Sequence, residues 1–135
     1  MLENNEAATP QQDWFLAALV QILNSLKGAS MGITLHVGGL VVSGQLASGA
    51  QYLEETGQTL DKALTGGTSD RLSKLFQRTA GTLYSEENQT VGYVHLRNVR
   101  FFQPGAGALP LKTQAWWRGR LSHVSGFSIG EMESN

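Results

Sequence analysis

The chain has 135 residues, which is the usual size of one domain and enough to bury a hydrophobic core. A net charge of −1 excludes the general electrostatic attraction to nucleic acid that a strongly basic protein has. The absence of cysteine excludes disulfides, thiolate metal sites and cysteine nucleophiles, and it fits a cytoplasmic protein.

The few charged residues are unevenly distributed along the chain. Residues 1–90 carry five basic and nine acidic groups, a net −4, whereas residues 91–135 carry five basic and two acidic groups, a net +3. Opposite charges at the two ends permit head-to-tail association, although ordinary surface variation gives the same distribution. The longest apolar stretch, residues 14–26, is too short to cross a bilayer, so we expect no membrane span.

A flexible tail is predicted at residues 1–8, followed by one domain whose first element is a helix over residues 10–27. Thr9 is placed to cap this helix, and Gln12 completes a capping box three residues later. Gly28 is the expected left-handed residue just past its end.

The apolar residues of this helix occupy more than one stripe, with Trp14 and Phe15 adjacent near its start. A helix that is apolar over most of its girth is either sandwiched within a domain or covers a partner surface. Trp14 and Phe15 are therefore candidate interaction residues.

A β-hairpin is predicted over residues 32–47. Two alternating apolar runs flank Gly38 and Gly39, and a two-residue Gly-Gly loop favours a primed hairpin turn. The turn and the alternation give one register, which pairs Val37 with Leu40, Leu35 with Val42, Ile33 with Gly44 and Thr34 with Ser43.

Residues 48–85 change to a helical period and predict two helices. Ser48 precedes the first helix, in which Gly57 weakens the pattern, and two glycines at 66–67 end it. Residues 68–70 are placed to cap the second helix. The adjacent Glu54 and Glu55 indicate a solvated helix face.

Extended structure is predicted again over residues 91–131. The apolar alternation changes face at Asn98, which indicates a bulge or a bend. Residues 103–110, rich in proline and glycine, predict a loop. A two-residue turn at 125–126 would place Arg120 opposite Glu131, and either the second face of that hairpin is partly buried or the turn is irregular.

Two adjacent tryptophans, Trp116 and Trp117, indicate that both faces of a strand are used. Successive side chains of a strand point to opposite faces, so the two tryptophans cannot lie in one core. Trp117 falls in line with Gly119 on an apolar row, whereas Trp116 falls in line with Arg118 and Arg120 on a cationic row. Trp116 therefore needs a second layer, a partner or solvent, and Trp116, Arg118 and Arg120 are candidate interaction residues.

The order of these elements predicts an α+β fold. We expect a small, strongly bent antiparallel sheet or an open barrel of the Sm or SH3-like type. An N-terminal helix precedes it, and a two-helix insertion follows the first hairpin.

Catalytic and metal motifs are lacking. His36, His95 and His123 could form a three-histidine zinc site, but lone histidines on separate strands are usually surface residues or have their hydrogen bonds satisfied. Neither glycine pair fits a phosphate loop, and no serine lies in a nucleophile elbow. We expect no enzyme, no metal and no cofactor.

An alternative function rests on arginines interleaved with aromatic residues in the C-terminal third. They are Tyr93, Arg97, Arg100, Phe102, Trp116, Arg118 and Arg120. Such a face is the best case in this sequence for binding single-stranded RNA or an anionic surface. The competing interpretation is that the arginines cover a β-face with their aliphatic stems.

Three segments together resemble the gas vesicle accessory protein GvpU family. Residues 33–46 contain a Val-Ser-Gly hairpin, and residues 93–99 contain a His-Leu-Arg-Asn strand. Residues 117–130 carry the pattern Trp-Arg-Gly-Arg-hydrophobic-x-x-Val-x-Gly-Phe-x-x-Gly. The residues interpreted as defining the fold are Gly38, Gly39, Trp117, Gly119, Gly126, Phe127 and Gly130.

The resemblance implies a cytoplasmic, gas vesicle associated and non-enzymatic accessory protein. It would act by self-association, as a homo-oligomer, or by binding gas vesicle shell or accessory proteins, and so organise or cluster vesicles. An Sm-like nucleic-acid module and a small-molecule or metal-binding barrel remain the competing hypotheses.

Overall fold

The computed structural model describes residues 12–64, 70–84, 91–105, 107–108 and 115–132. Within these ranges the fold is α+β, with three helices and six strands. In chain order they are α1 (Trp14–Asn24), β1 (Ser30–Val37), β2 (Leu40–Ala47), α2 (Gly49–Ala63), α3 (Arg71–Leu83), β3 (Tyr93–Gln103), β4 (Gly107–Ala108), β5 (Trp117–Arg120) and β6 (Gly126–Ile129). A 3₁₀ turn, Leu121–His123, separates β5 from β6.

The strands form one antiparallel open sheet in the order β4-β3-β2-β1-β6. The long strand β3 has two partners on its outer side: β5 pairs with its first half and β4 with its last two residues. Among the described strands, β6 pairs with β1 alone.

The predicted hairpin is confirmed in its register. Val37 lies opposite Leu40, Leu35 opposite Val42, Ile33 opposite Gly44 and Thr34 opposite Ser43. Gly38 has φ +61°, which is the left-handed conformation that a primed turn requires.

The predicted bulge at Asn98 is also confirmed. Asn98 has φ +52°, and the pairing of β2 with β3 shifts between Ser43 and Gln45. Gly44 lies at the shift, where a Cβ atom would be 2.9 Å from the Arg97 carbonyl oxygen. Glycine therefore lets β2 approach the bulged backbone closely.

The hydrophobic core lies between α1 and one face of the sheet. The helix contributes Leu16, Ala17, Val20 and Leu23, all buried. The sheet contributes Ile33, Leu35, Val42, Leu46, Val94, Leu96 and Val99, with Leu121 and Val124 from the β5–β6 connection. Each fully buried large aliphatic side chain stabilises the fold by about 1.5–3 kcal/mol.

The opposite face of the sheet is covered in two parts. The α2–α3 hairpin covers the region around β3, and residues 130–132 cross over the hydroxyl pair of Thr34 and Ser43, whose oxygens are 3.1 Å apart. The Thr34 hydroxyl donates to the Gly130 carbonyl at 2.8 Å, and the Met132 N–H donates to the Ser43 Oγ at 2.8 Å. These bonds satisfy two polar side chains that the sheet buries.

The first helix is shorter than predicted. Asp13 has extended backbone (φ −78°, ψ 115°), and its carboxylate accepts from the N–H groups of Phe15 and Leu16. The prediction of a helix that begins at residue 10 is therefore wrong, because Asp13 is extended and caps a helix that begins at Trp14. The predicted cap, Thr9, lies outside the described residues. The helix also ends earlier than predicted, at Asn24 with Ser25 as its cap, so Gly28 has a positive φ of +96° but is not the residue just past the helix end.

The cap of α3 also differs from prediction. Asp70 makes no side-chain cap hydrogen bond and instead lies 3.1 Å from the Lys74 ammonium. Asp61 of α2 takes its place: its two carboxylate oxygens accept from Leu72 N–H and Ser73 N–H, each at 3.0 Å. The other predicted cap residues, at 68–69, lie outside the described residues.

Gly57, which weakens the helical pattern of α2, lies where α2 and α3 approach each other closely. A Cβ atom there would lie 2.8 Å from the Cα atom of Ser73. The small residue permits the two backbones to pack together, which a helical period alone does not reveal.

The predicted pairing of the last two strands is wrong. Arg120 lies opposite Tyr93 of β3, and Phe127 lies opposite Leu35 of β1, so β5 and β6 border different strands. The connection is irregular because Leu121 is fully buried and anchors the 3₁₀ turn in the core. The predicted loop at 103–110 likewise includes β4, whose two residues pair with the end of β3.

Candidate functional site

Trp116 meets a second layer, formed by α2. Its indole Nε1 donates to the Glu55 Oε1 atom at 3.0 Å, and its ring lies edge-on to Tyr52 with centroids 5.4 Å apart. The prediction that Glu55 lies on a solvated helix face is therefore wrong. Its carboxylate accepts a hydrogen bond from a side chain on the opposite layer. The neighbouring Glu54 lies 3.2 Å from the Lys27 ammonium, which ties α2 to the end of α1.

The Glu55 carboxylate also contacts Gln51 and Arg97. Its second oxygen accepts from Gln51 Nε2 at 3.0 Å, and Arg97 Nη2 lies 4.0 Å from the first. The Arg97 guanidinium lies 5.6 Å from the Trp116 ring centroid. The indole ring thus packs among residues of the same chain.

His95 lies beneath the same layer and is 2% exposed. Its ring centroid is 4.7 Å from that of Tyr52. Burial, together with the positive charge of Arg118, lowers the pKa of His95 to about 3. The imidazole is therefore neutral at neutral pH.

The three histidines do not form a site. His36 and His123 are exposed, whereas His95 is buried between α2 and the sheet. Over residues 12–64, 70–84, 91–105 and 115–132, no group of three or more histidines and carboxylates is close enough to hold a metal ion.

The basic aromatic face predicted from the sequence is largely occupied by internal contacts. The Arg118 guanidinium lies 3.6 Å from the Tyr93 ring centroid, and Arg120 is exposed beside it, opposite Tyr93. Phe102 is buried, and Trp116 packs under α2. The aromatic surfaces that would stack on nucleic acid bases are thus engaged within the fold.

A cleft of about 250 Å³ lies where the ends of α1 and α3 meet the start of β3. It is lined by Asn24, Leu83, Tyr84, Val91, Gly92, Tyr93 and Arg118. Burial raises the pKa of the Tyr84 hydroxyl, although the charge of Arg118 opposes the shift. These lining residues include no carboxylate and no histidine, so they provide no acid–base pair of the kind used in hydrolysis.

The two candidates on α1 are the most exposed aromatic residues described. Trp14 is 64% exposed and Phe15 is 49% exposed, and their ring centroids are 5.7 Å apart. Ile22 and Leu26 extend the same exposed side toward and past the end of the helix. The helix therefore has a second apolar stripe, facing away from the core.

This stripe continues onto the sheet at β6. The Phe15 ring lies edge-on to Phe127, with centroids 5.4 Å apart. Ile129 points to the same side of β6 as Phe127 and is 60% exposed. We call Trp14, Phe15, Phe127 and Ile129 the apolar ridge.

Further apolar residues are exposed on the α2–α3 hairpin. They are Leu60, Leu64, Leu75 and Leu83. Leu75 and Leu83 lie on α3, whose apolar side only partly packs against α2. Their partial exposure was not predictable from periodicity, which marks an apolar face without saying what covers it.

The residues predicted to define the fold lie mainly in turns and strand ends. Trp117 packs against the core, and a Cβ atom at Gly119 would overlap its indole ring. Gly130 has φ +106°, which lets the chain turn from β6 across the sheet. Gly39 and Gly126 have open space around them.

Comparison with known proteins gives one match. Residues 13–132 match the family model described as gas vesicle protein GvpU-like, a range that contains all the helices and strands described above. No curated protein and no solved structure matches the chain. None of the helices in the described ranges is both long enough and apolar enough to cross a membrane.

Proposed function

This chain belongs to the GvpU-like gas vesicle protein family, and we propose that it is a non-enzymatic accessory protein acting by association. It associates with itself and with gas vesicle proteins, in the cytoplasm, through the apolar ridge. The observation that carries this proposal is the exposure of Trp14 and Phe15 on a helix that already buries its other side.

The composition of the ridge supports an interaction surface. Aromatic residues are enriched in the cores of protein interfaces, and contiguous exposed apolar patches commonly mark binding sites. Phe15 and Phe127 pack edge-on, so the ridge joins α1 to β6 rather than consisting of isolated side chains. A pre-packed surface loses less side-chain entropy on binding than separate flexible residues do.

The candidates within β5 and immediately before it have a different part in this proposal. Trp116 holds α2 against the sheet through Glu55, so it positions the helical layer. Arg118 and Arg120 are exposed, and they are two of the five basic residues that make the C-terminal third positive. That charge favours partners with acidic surfaces and makes association dependent on salt.

Vesicles are clustered if one copy of this protein binds two partners at the same time. The apolar ridge and the exposed basic side chains of Arg118 and Arg120 lie on different elements of the same chain. A protein with two association surfaces can link particles, whereas one with a single surface only coats them.

We also propose the Sm or SH3-like description of the sheet. The antiparallel order β6-β1-β2-β3-β5 and the 3₁₀ turn Leu121–His123 between the two end strands support it.

The proposal is tested by flotation of purified gas vesicles, which are buoyant, with the full-length protein. We expect the parent protein to float with the vesicles and a Trp14→Ser/Phe15→Ser double variant to remain in solution. A Leu75→Ser variant, which removes an exposed leucine of α3, is the matched control and should float. A parent protein that stays monomeric at all concentrations and does not float overturns the proposal.

A further inference from the structure

We propose that a second copy of this chain binds along the open edge of β6. The two β6 strands pair antiparallel about a twofold axis at Ser128 and join the two sheets into one. This inference rests on the proposed function, because it specifies how the self-association takes place.

The backbone of β6 presents N–H and C=O groups at this edge that no second strand among the described residues pairs with. Hydrogen-bonded and non-hydrogen-bonded residue pairs alternate along an antiparallel ladder. The Gly130 N–H donates to the Gly32 carbonyl at 2.8 Å, so Ser128, two residues earlier, also bonds to β1. The N–H and C=O groups of Phe127 and Ile129 therefore point away from β1, where no other described strand pairs with them.

The β6 edge lacks the features that prevent an exposed sheet edge from pairing with another chain. Proteins usually protect such edges with charged side chains, proline or bulges. Residues 125–130 contain no charge and no proline. The nearest charge, Glu131, turns toward the neighbouring strands, where its Oε2 lies 3.5 Å from Gln45 Nε2.

The other long edge of the sheet is different. The β5 strand carries Arg118 and Arg120 in its four residues, and both side chains are exposed. Two copies paired through β5 would bring four guanidinium groups together. Charge therefore disfavours self-pairing at β5 and leaves β6 as the edge that a second copy can use.

The β6 strand is complementary to itself in this register. With Ser128 on the axis, Phe127 of one copy lies opposite Ile129 of the other, and both have outward N–H and C=O groups. Each of the two Phe127–Ile129 pairs forms two hydrogen bonds, and the aromatic and β-branched side chains pack across the strands. The hydroxyls of the two Ser128 residues meet on the opposite face.

The twofold axis also brings the two ridges together. Strands paired antiparallel in one sheet present the same face on the same side, so both α1 helices lie on one side of the joined sheet. Phe15 already contacts Phe127, and Trp14 lies beside it. Their exposed surfaces can thus contribute to the same interface.

A cysteine at the axis tests the register, since the chain has no cysteine of its own. Non-hydrogen-bonded antiparallel neighbours have Cα atoms about 4.5 Å apart, within the range of a disulfide. We expect the full-length Ser128→Cys variant to oxidise to a covalent dimer. Ser25→Cys, an exposed site at the end of α1, is the control and should remain uncross-linked. No dimer at position 128, or equal cross-linking at both positions, overturns the proposal.

A second test uses a substitution that removes one outward-pointing N–H of β6 and leaves the hydrogen bonds between β6 and β1 in place. Ile129→Pro deletes a donor at the open edge, whereas Ile129→Val keeps it. By sedimentation equilibrium, the proline variant should dimerise at least about tenfold more weakly than the parent, and the valine variant should match the parent. Circular dichroism checks that both are folded. A folded proline variant that associates as tightly as the parent contradicts the pairing.

The two proposals fail separately. A monomeric parent that still floats with gas vesicles overturns the β6 pairing and leaves the proposed function standing. A parent that dimerises through β6 but never floats supports the pairing and contradicts the vesicle association.

Discussion

The Trp116 indole N–H donates to the Glu55 carboxylate at 3.0 Å, and this bond links the C-terminal part of the sheet to helix α2. The two residues are 61 positions apart in the chain. Trp117 packs against the hydrophobic core, whereas the adjacent Trp116 lies in the contact between the sheet and the helical layer.

Trp116→Phe should therefore weaken the fold by loosening α2. Loss of one hydrogen bond costs about 0.5–1.5 kcal/mol in the free energy of unfolding, measured by denaturant titration. In a Glu55→Ala background the same substitution should cost less, because the acceptor is already absent. Equal costs in the two backgrounds would show that the bond does not stabilise the protein.

Stability should depend on pH through His95. Its pKa is about 6.5 in the unfolded chain and is lowered to about 3 in the folded protein, by burial and then by the charge of Arg118. The folded state favours the neutral imidazole. Its stabilising contribution is therefore complete above about pH 6.5 and is lost as the pH falls from there toward 3.

A His95→Phe variant isolates this contribution. Over the window between about pH 6.5 and pH 5, the free energy of unfolding of the parent should fall by up to about 1.4 kcal/mol per pH unit more than that of the variant. Tyr52 and Arg118 face the imidazole in both proteins, so other titrating groups act alike on the two curves. Parallel curves would rule out the buried neutral histidine.

Two glycines on the helical hairpin should respond oppositely to alanine. Gly57→Ala places a methyl group 2.8 Å from the Cα atom of Ser73, so we expect destabilisation despite the better helix propensity. Gly81 of α3 has open space, so Gly81→Ala should stabilise by up to about 1 kcal/mol. Thermal unfolding of both variants measures the contrast. Stabilisation by both would mean that α2 and α3 do not pack closely at Gly57.

The cap of α3 should depend on Asp61 more than on Asp70. Burial raises the pKa of the Asp61 carboxyl, but hydrogen bonds from Ser73 and Leu72 outweigh burial and leave it lowered. Asp61→Asn removes the charge from these bonds and should lower the melting temperature more than Asp70→Asn does. The difference between the two should shrink as the pH falls through the lowered pKa of Asp61. A larger effect at Asp70 would contradict this assignment.

The local part of the fold was predictable from the sequence. The Gly38–Gly39 turn and the alternation around it agree on one register, and Asn98 breaks the alternation of β3 where the bulge lies. In both places the determining residues are neighbours in the chain. Local turn chemistry was then sufficient.

The long-range part was not predictable in the same way. A Ser-Gly pair between two apolar runs resembles a hairpin turn, but burial of Leu121 in the distant core places β5 and β6 on different strands. Asp61 caps a helix to which it does not belong, and Glu55 meets an indole from the other layer. Spacing within one element carries no signal for such contacts.

The apolar ridge could be predicted only in part. The apolar girth of α1 predicted either a sandwiched helix or a partner surface, and only the packing of Leu16 and Val20 shows which side is buried. Phe127 and Ile129 were not predicted as neighbours of Trp14, because β6 was expected to pair with β5. The correct pairing with β1 places them beside α1.

Hydroxyl-radical footprinting of the full-length protein, alone at a dilution at which it is monomeric and bound to purified gas vesicles, tests association through the apolar ridge most directly. It compares the oxidation of Trp14, Phe15 and Ile129 with that of Leu75 on α3. Association through the ridge predicts that the first three become protected on binding while Leu75 stays accessible. Unchanged oxidation of Trp14 and Phe15 in vesicle-bound protein would contradict the account.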